Sequence, residues 1–66
     1  MNAMTPATDL LDAANALQET AAQARAALTR GDYLAYSAKV TEAVARFGTL
    51  HRAYRAFIDS RKRYQP

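Results

Sequence analysis

Apolar side chains recur along this chain in two long stretches, and only the short segment Arg30-Gly31-Asp32 separates them. In the first stretch the apolar positions are spaced alternately by four and three residues, which is the repeat of about 3.5 residues typical of a coiled-coil helix. These positions are Leu10, Ala14, Leu17, Ala21, Ala24 and Leu28. The pattern predicts a first helix over about residues 6–30, with one apolar seam that is half alanine.

The second stretch carries larger apolar side chains, which fall on one stripe of a helix at about 100° per residue. The stripe consists of Tyr33, Tyr36, Val40, Val44, Phe47, His51, Tyr54 and Ile58, and it is widened along one edge by Leu50, Phe57 and Tyr64. It predicts a second helix over about residues 33–63. We expect these bulky side chains to pack on the alanine and leucine of the first helix, and a stripe this wide suits contact with two neighbouring helices.

Residues that commonly cap helices mark the predicted helix ends. Thr5 followed by Pro6 offers a cap and a proline at the first helical position, with Thr8-Asp9 as the competing start. Gly31 suits the left-handed residue that ends a helix, and Asp32 suits the N-cap of the next one. A turn at 31–32 therefore predicts an antiparallel two-helix hairpin of the all-α class.

A chain of 66 residues buries only about 60% of the surface that its unfolded form exposes, so it needs an additional stabiliser. It has no cysteine, which excludes disulfides and thiolate metal sites. We therefore predict a single domain over residues 1–66 that dimerises into a four-helix bundle. The residues predicted for its core and subunit interface are Leu10, Leu17, Leu28, Tyr36, Val40, Val44, Phe47, His51, Tyr54 and Ile58.

Gly48 lies inside the second predicted helix, where glycine costs roughly 1 kcal/mol relative to alanine. A close backbone approach near Ala14 is the explanation that we prefer, and a tolerated exposed glycine is the alternative. His51 has no second histidine and no carboxylate four residues away. A histidine packed in the core or subunit interface is therefore expected rather than a ligand or an acid–base group.

Charge is distributed unevenly between the two ends of the chain. The first twenty residues include Asp9 and Asp12 and no basic residue, whereas the last sixteen are strongly basic. In a hairpin the two ends lie together, so Asp9 and Asp12 are expected to face Arg52 and Arg55. Because the second predicted helix is the longer one, residues from about Ile58 onward are expected to project past the start of the first.

This projecting end is the candidate partner-binding site. Together with the turns just before it, the site consists of Arg52, Arg55, Phe57, Arg61, Lys62, Arg63 and Tyr64. Cations with aromatic neighbours suit nucleic-acid phosphates, an acidic protein face or a membrane surface. The alternative is a solvated helix end whose cations favour the negative terminus of the helix dipole. Tyr64 is the tyrosine expected to be free, since Tyr33, Tyr36 and Tyr54 lie on the apolar stripe.

Catalytic patterns are missing from the sequence: it has no Ser/His/Asp arrangement, no glycine-rich phosphate loop and no metal-ligand spacing. We expect no enzymatic activity, no cofactor and no metal. The predicted function is a small accessory or regulatory subunit that docks on a larger protein. The alternative is an RNA- or DNA-binding dimer that uses the basic end, which the net charge of +3 permits.

The sequence shows no signal-peptide pattern and no uncharged apolar run near the ~20 residues that span a bilayer. A soluble cytoplasmic protein without a membrane partner is therefore expected. Arginine outnumbers lysine and alanine is abundant, a composition typical of GC-rich bacteria and their phages.

Overall fold

The computed structural model describes residues 5–63, whose backbone forms two α-helices, α1 (Pro6–Thr29) and α2 (Tyr33–Arg63). The helices pack against each other along their length as a hairpin. The predicted all-α two-helix hairpin is confirmed, and α1 ends one residue before the predicted residue 30. Dimerisation concerns more than one copy of the chain and stays a prediction.

The start of α1 is fixed by the threonine that precedes it. Thr5 has extended backbone angles, and its hydroxyl oxygen accepts a hydrogen bond of 3.0 Å from the backbone N–H of Thr8. Pro6 occupies the first helical position, where a backbone N–H would form no hydrogen bond within the helix, so proline loses nothing there. The start at Thr5 is therefore confirmed, and the competing start at Thr8-Asp9 is wrong because both residues already lie in the first turn.

The backbone groups of the link between the helices form hydrogen bonds within the link and with the adjoining helix ends. Gly31 has a φ of 78°, and its N–H donates to the carbonyl of Leu28 at 3.1 Å. The N–H of Asp32 donates to the carbonyl of Ala27 at 2.9 Å, which completes the two bonds of a Schellman motif. A carboxylate oxygen of Asp32 then accepts from the N–H of Ala35 at 3.1 Å, as an N-cap does. The predicted turn is confirmed.

Small side chains of α1 form the seam between the two helices. Its buried residues are Ala13, Thr20, Ala24 and Ala27. The seam predicted from the sequence is therefore rotated, because Ala24 is its one buried member, whereas Ala21 and Leu28 are exposed. The physical reason is that alanine and threonine let two backbones approach closely, whereas a line of leucines would hold the helices apart.

Helix α2 turns a different side toward α1 from the one that the sequence predicts. Ala43 and Ala53 are half-buried together with Leu50 and Phe57, the two described residues of the predicted edge. Most of the predicted stripe is exposed instead. Its exposed members are Tyr33, Val40, Val44, Phe47, His51 and Tyr54, whereas Tyr36 and Ile58 are half-buried. The prediction that these exposed residues and Leu28 pack inside the hairpin was wrong, and their predicted place in a subunit interface stays a prediction.

The hairpin is one helix layer thick. Its principal extents are 53 × 23 × 13 Å, and its radius of gyration is 15.3 Å. A compact domain of this length has a radius of gyration of about 11 Å. Residues 5–63 therefore provide no second layer to cover the exposed stripe of α2.

Two further expectations were wrong in detail. A Cβ atom built on Gly48 meets only a guanidinium nitrogen of Arg52, at 3.9 Å, so no backbone approaches this glycine within the hairpin. Pro6 lines a cleft with Ala56, Asp59 and Ser60. The start of α1 therefore lies beside Ala56 to Ser60, and the projecting part of α2 begins after Ser60, three residues later than predicted.

Candidate functional site

A groove of about 500 Å³ runs between the two helices on one side of the hairpin, in the half nearer the turn. We call its lining the apolar face. The apolar face consists of Ala21, Ala24, Arg25 and Leu28 from α1 and of Tyr36, Val40, Ala43, Val44 and Phe47 from α2. Arg25 is the charged residue in this lining, and no carboxylate belongs to it.

The apolar face has a floor of small residues and a ridge of large ones. Ala21, Ala24 and Ala43 form its small positions. Val44 and Phe47 stand along α2 with 67% and 58% of their surfaces exposed. Full burial of a valine or phenylalanine side chain stabilises a protein by about 1.5–3 kcal/mol relative to leaving it in water. Covering Val44 and Phe47 with another surface would therefore stabilise a complex by several kcal/mol, roughly 1.5–3 kcal/mol for each side chain.

Helical periodicity carries the same surface toward the open end of the hairpin. His51 and Tyr54 follow Val44 and Phe47 by seven residues, which is close to two full turns. Leu17 precedes Ala24 by the same interval. Both His51 and Tyr54 are exposed, and Leu17 is half-buried. The residues that the sequence predicts for a seam inside the hairpin thus line one outer side of it.

A second groove, of about 510 Å³, is lined in part by charged residues. Its lining residues are Asp9, Asp12, Ala13, Ala16, Thr49, Arg52 and Ala53. The predicted proximity of Asp9 and Asp12 to Arg52 is confirmed, but within residues 5–63 no ion pair joins them. Arg52 donates instead to the hydroxyl of Thr49 at 3.4 Å. This groove therefore differs from the apolar face in the charged residues that border it.

The basic end is made of exposed cations on the last turns of α2. Arg52, Arg55, Arg61 and Lys62 are all exposed, and none of these four forms an ion pair in the described part of the chain. The guanidinium of Arg61 lies 5.7 Å from the ring centroid of Phe57, a cation–π distance. Two other predicted members, the side chain of Arg63 and the whole of Tyr64, lie outside the described residues.

Sequence reasoning missed one charged cluster, on α2. Lys39 donates to a carboxylate oxygen of Glu42 at 3.2 Å, and Arg46 donates to the other oxygen at 3.3 Å. The hydrogen bond from Lys39, followed by that from Arg46, lowers the pKa of Glu42 below its ordinary value. The signal was available, because residues three and four apart are neighbours on a helix.

Chemically, these surfaces offer apolar burial and positive charge. Among the described residues no group of three histidine, cysteine or acidic side chains lies together as a metal ion would require. No described helix has the length and apolar character needed to cross a bilayer. His51 is exposed on the extension of the apolar face. The arrangement therefore suits binding to another macromolecule.

Comparisons with family models, with curated protein sequences and with solved structures gave no match to this chain.

Proposed function

We propose that this protein is a non-enzymatic helical interaction module that works as a homodimeric four-helix bundle and docks on a larger protein as an accessory or regulatory subunit. The observation that carries the proposal is the apolar face, to which both helices contribute and which the hairpin leaves uncovered. Monomeric soluble proteins rarely expose a contiguous apolar surface of this kind without using it.

The amount of exposed surface supports association. The hairpin has an accessible surface of 5188 Å², whereas a compact monomer of 7.3 kDa has about 4,200 Å². The excess is about 1,000 Å² per chain, and two chains together bring about 2,000 Å², the size of a stable protein–protein interface. Burial of this excess would leave each chain with the surface of an ordinary compact monomer of its mass.

The shape of the apolar face supports a second copy as its occupant. Each hairpin carries a ridge, made by Val40, Val44 and Phe47, beside a groove floored by Ala21 and Ala24. A surface that holds both a ridge and a groove is complementary to itself. In a two-fold dimer the ridge of each copy fills the groove of the other, so the same contact forms two times. The resulting bundle buries four helices around one core.

The basic end is the proposed docking site for the larger partner, through an acidic protein surface. Its four exposed cations form no ion pair within the described part of the hairpin, and Arg61 lies over the ring of Phe57. The same four cations support the second candidate function, nucleic-acid binding. Steep weakening of duplex or structured RNA binding with salt would favour that alternative, because phosphate contacts release counterions.

Sedimentation equilibrium tests the self-association. We expect a mass of about twice 7.3 kDa at micromolar concentration. Val44→Gln should weaken dimerisation at least about tenfold, because it places an amide at a site that dimerisation desolvates. Leu34→Gln is the matched control: Leu34 is 85% exposed and lies outside the apolar face, so the mass should not change. A folded helical monomer in the parent protein would overturn the proposal.

A further inference from the structure

We propose that the two copies pair with both turns at the same end, so that α1 of each copy packs against α2 of the other. This inference rests on the proposed self-association and specifies its geometry. Two hairpins that pack face to face have two simple two-fold arrangements. In the same-end arrangement the axis runs parallel to the helices, and in the opposite-end arrangement it crosses them.

The distribution of side-chain size favours the same-end arrangement. On the apolar face, α1 contributes Ala21 and Ala24 in the middle of the groove and Arg25 and Leu28 nearer the turn. Helix α2 contributes Ala43 and Tyr36 besides the ridge of Val40, Val44 and Phe47. An axis parallel to the helices places α1 over the second copy's α2 at the same height along the bundle. In the middle of the groove the alanines of α1 then oppose the ridge of α2, and all neighbouring helices keep a similar spacing.

The opposite-end arrangement places like helices over each other. The alanines of α1 then face alanines, and the ridge of α2 faces the same ridge of the second copy. The two α1 helices would then pack closely while the bulky ridges hold the two α2 helices apart. The spacing between α1 and α2 within each hairpin is fixed, so both conditions cannot be met at once. Gaps on one side and crowding on the other both lower stability, because protein cores are packed nearly as tightly as crystals.

The heights of the residues agree with the same-end arrangement. Within one hairpin Ala21 lines the same groove as Val40 and Val44, and Leu28 lines it with Tyr36. A two-fold axis parallel to the helices preserves these heights, so Ala21 of one copy lies level with Val40 and Val44 of the other. The layers that the sequence spacing predicts inside the hairpin would then form between the copies.

The charges on the rim of the apolar face permit this packing. Arg25 borders the groove on α1, and Ser37 and Thr41 are exposed on α2 near its height. Arg55 follows Val44 by eleven residues, three turns of helix, so it lies on the same stripe at the open end. In the same-end dimer, Arg25 therefore lies opposite the polar side chains of α2, and Arg55 lies at the far end of the bundle, away from Arg25.

The same-end arrangement has a consequence for function. It brings the two basic ends to one pole of the dimer, where Arg52, Arg55, Arg61 and Lys62 are each present twice. Asp9, Asp12 and Asp59 lie at that same end and limit the repulsion. An acidic partner would therefore meet one doubled basic surface, and the pole with the turns would stay free of it.

Distances between spin labels distinguish the two arrangements, and the absence of native cysteine allows single labels at chosen sites. Leu34, Thr41 and Arg52 are suitable because they are exposed and lie seven and eleven residues apart on one side of α2. In labelled Leu34→Cys, Thr41→Cys and Arg52→Cys dimers, the same-end arrangement predicts three label–label distances that agree within a few Å. No opposite-end dimer gives three equal distances: since α2 rises by 1.5 Å per residue, at least one must differ by more than about 10 Å.

Each outcome is decisive for one of the two claims. Unequal distances in dimers of the correct mass overturn the same-end arrangement and leave self-association standing. Monomeric mass in the parent protein overturns the self-association itself. Disulfide formation gives an independent measurement: mixing Ala21→Cys with Val44→Cys should give a mixed disulfide, whereas a homodimeric disulfide of Val44→Cys alone would contradict the same-end packing.

Discussion

The two sides of α2 differ in what they give to the hairpin. The side that meets α1 includes Ala43 and Ala53, opposite a seam of alanine and threonine. The adjoining side carries Val40, Val44 and Phe47, which are exposed. The buried residues of the seam are thus small ones of α1, with Leu50 and Phe57 half-buried beside them, whereas Val44 and Phe47 face outward.

The residues that bring the two helices together are therefore different from those that could supply most of the free energy of folding. A seam of small side chains brings the helices together but removes little apolar surface from water, and burial of apolar surface is the main driving force of folding. The larger contribution is available only when the ridge on α2 is covered. The hairpin therefore has a specified shape, and most of its stability is expected to come from association.

The largest expected effect comes from removing the centre of the ridge. Phe47→Ala should abolish cooperative unfolding at micromolar concentration, since truncation of a phenylalanine buried in the dimer costs about 3–5 kcal/mol. Leu34→Ala, at a position 85% exposed, should change stability by no more than about 0.5 kcal/mol. Urea unfolding followed by circular dichroism measures both. Equal effects of the two substitutions would show that Phe47 stays exposed.

An intermediate effect is expected at the seam. Ala27 is 1% exposed, so Ala27→Leu forces three additional carbons between the helices and should destabilise the protein by about 1–3 kcal/mol. Ala26→Leu is the matched control, because Ala26 is exposed one residue earlier in the same helix. Thermal melts at equal protein concentration compare them. Full tolerance of Ala27→Leu would mean that α1 and α2 are not closely packed.

A smaller effect, of opposite sign at the two glycines, is expected from alanine. Gly48→Ala should stabilise the protein by about 1 kcal/mol, because Gly48 is helical and its new Cβ meets only a flexible guanidinium at 3.9 Å. Gly31→Ala should destabilise it by about 1 kcal/mol, because Gly31 has a φ of 78°. Chemical unfolding gives both values. Destabilisation by Gly48→Ala would show that the second copy packs against that backbone.

The smallest effect is expected from the exposed cluster around Glu42. Because its partners lower the pKa of Glu42, the stabilisation is present above the ordinary glutamate pKa and is lost as the pH falls through the lowered value. The stability difference between the parent and Glu42→Gln should therefore shrink on acidification below about pH 4. Glu19→Gln, which lacks an ion-pair partner among residues 5–63, is the control. A difference that is constant with pH would contradict this role.

Local chemistry explains which parts of the fold were predictable from the sequence. Thr5, Gly31 and Asp32 act on backbone groups a few residues away, so their types determine the caps and the turn. The rotation of the helices was not predictable in the same way. Spacing identifies an apolar stripe, but it does not specify whether the stripe faces the other helix of the hairpin or another chain.

The same limit applies to the candidate site. The sequence identified Val44 and Phe47 as important apolar residues but assigned them to the hairpin seam, because the preference of the seam for small residues depends on a close approach that spacing does not encode. The basic end was predictable from charge alone. Its extent was not, since it depends on where Pro6 lies along α2.

The most direct test of the central claim is the dependence of the melting temperature on protein concentration. Unfolding of a dimer releases two chains, so dilution favours the unfolded state by mass action. We expect the midpoint, followed by circular dichroism, to fall by several degrees over a hundredfold dilution of the parent protein. A midpoint that is independent of concentration, with helicity retained at a mass of 7.3 kDa, would contradict the claim that the apolar face is covered by a second copy.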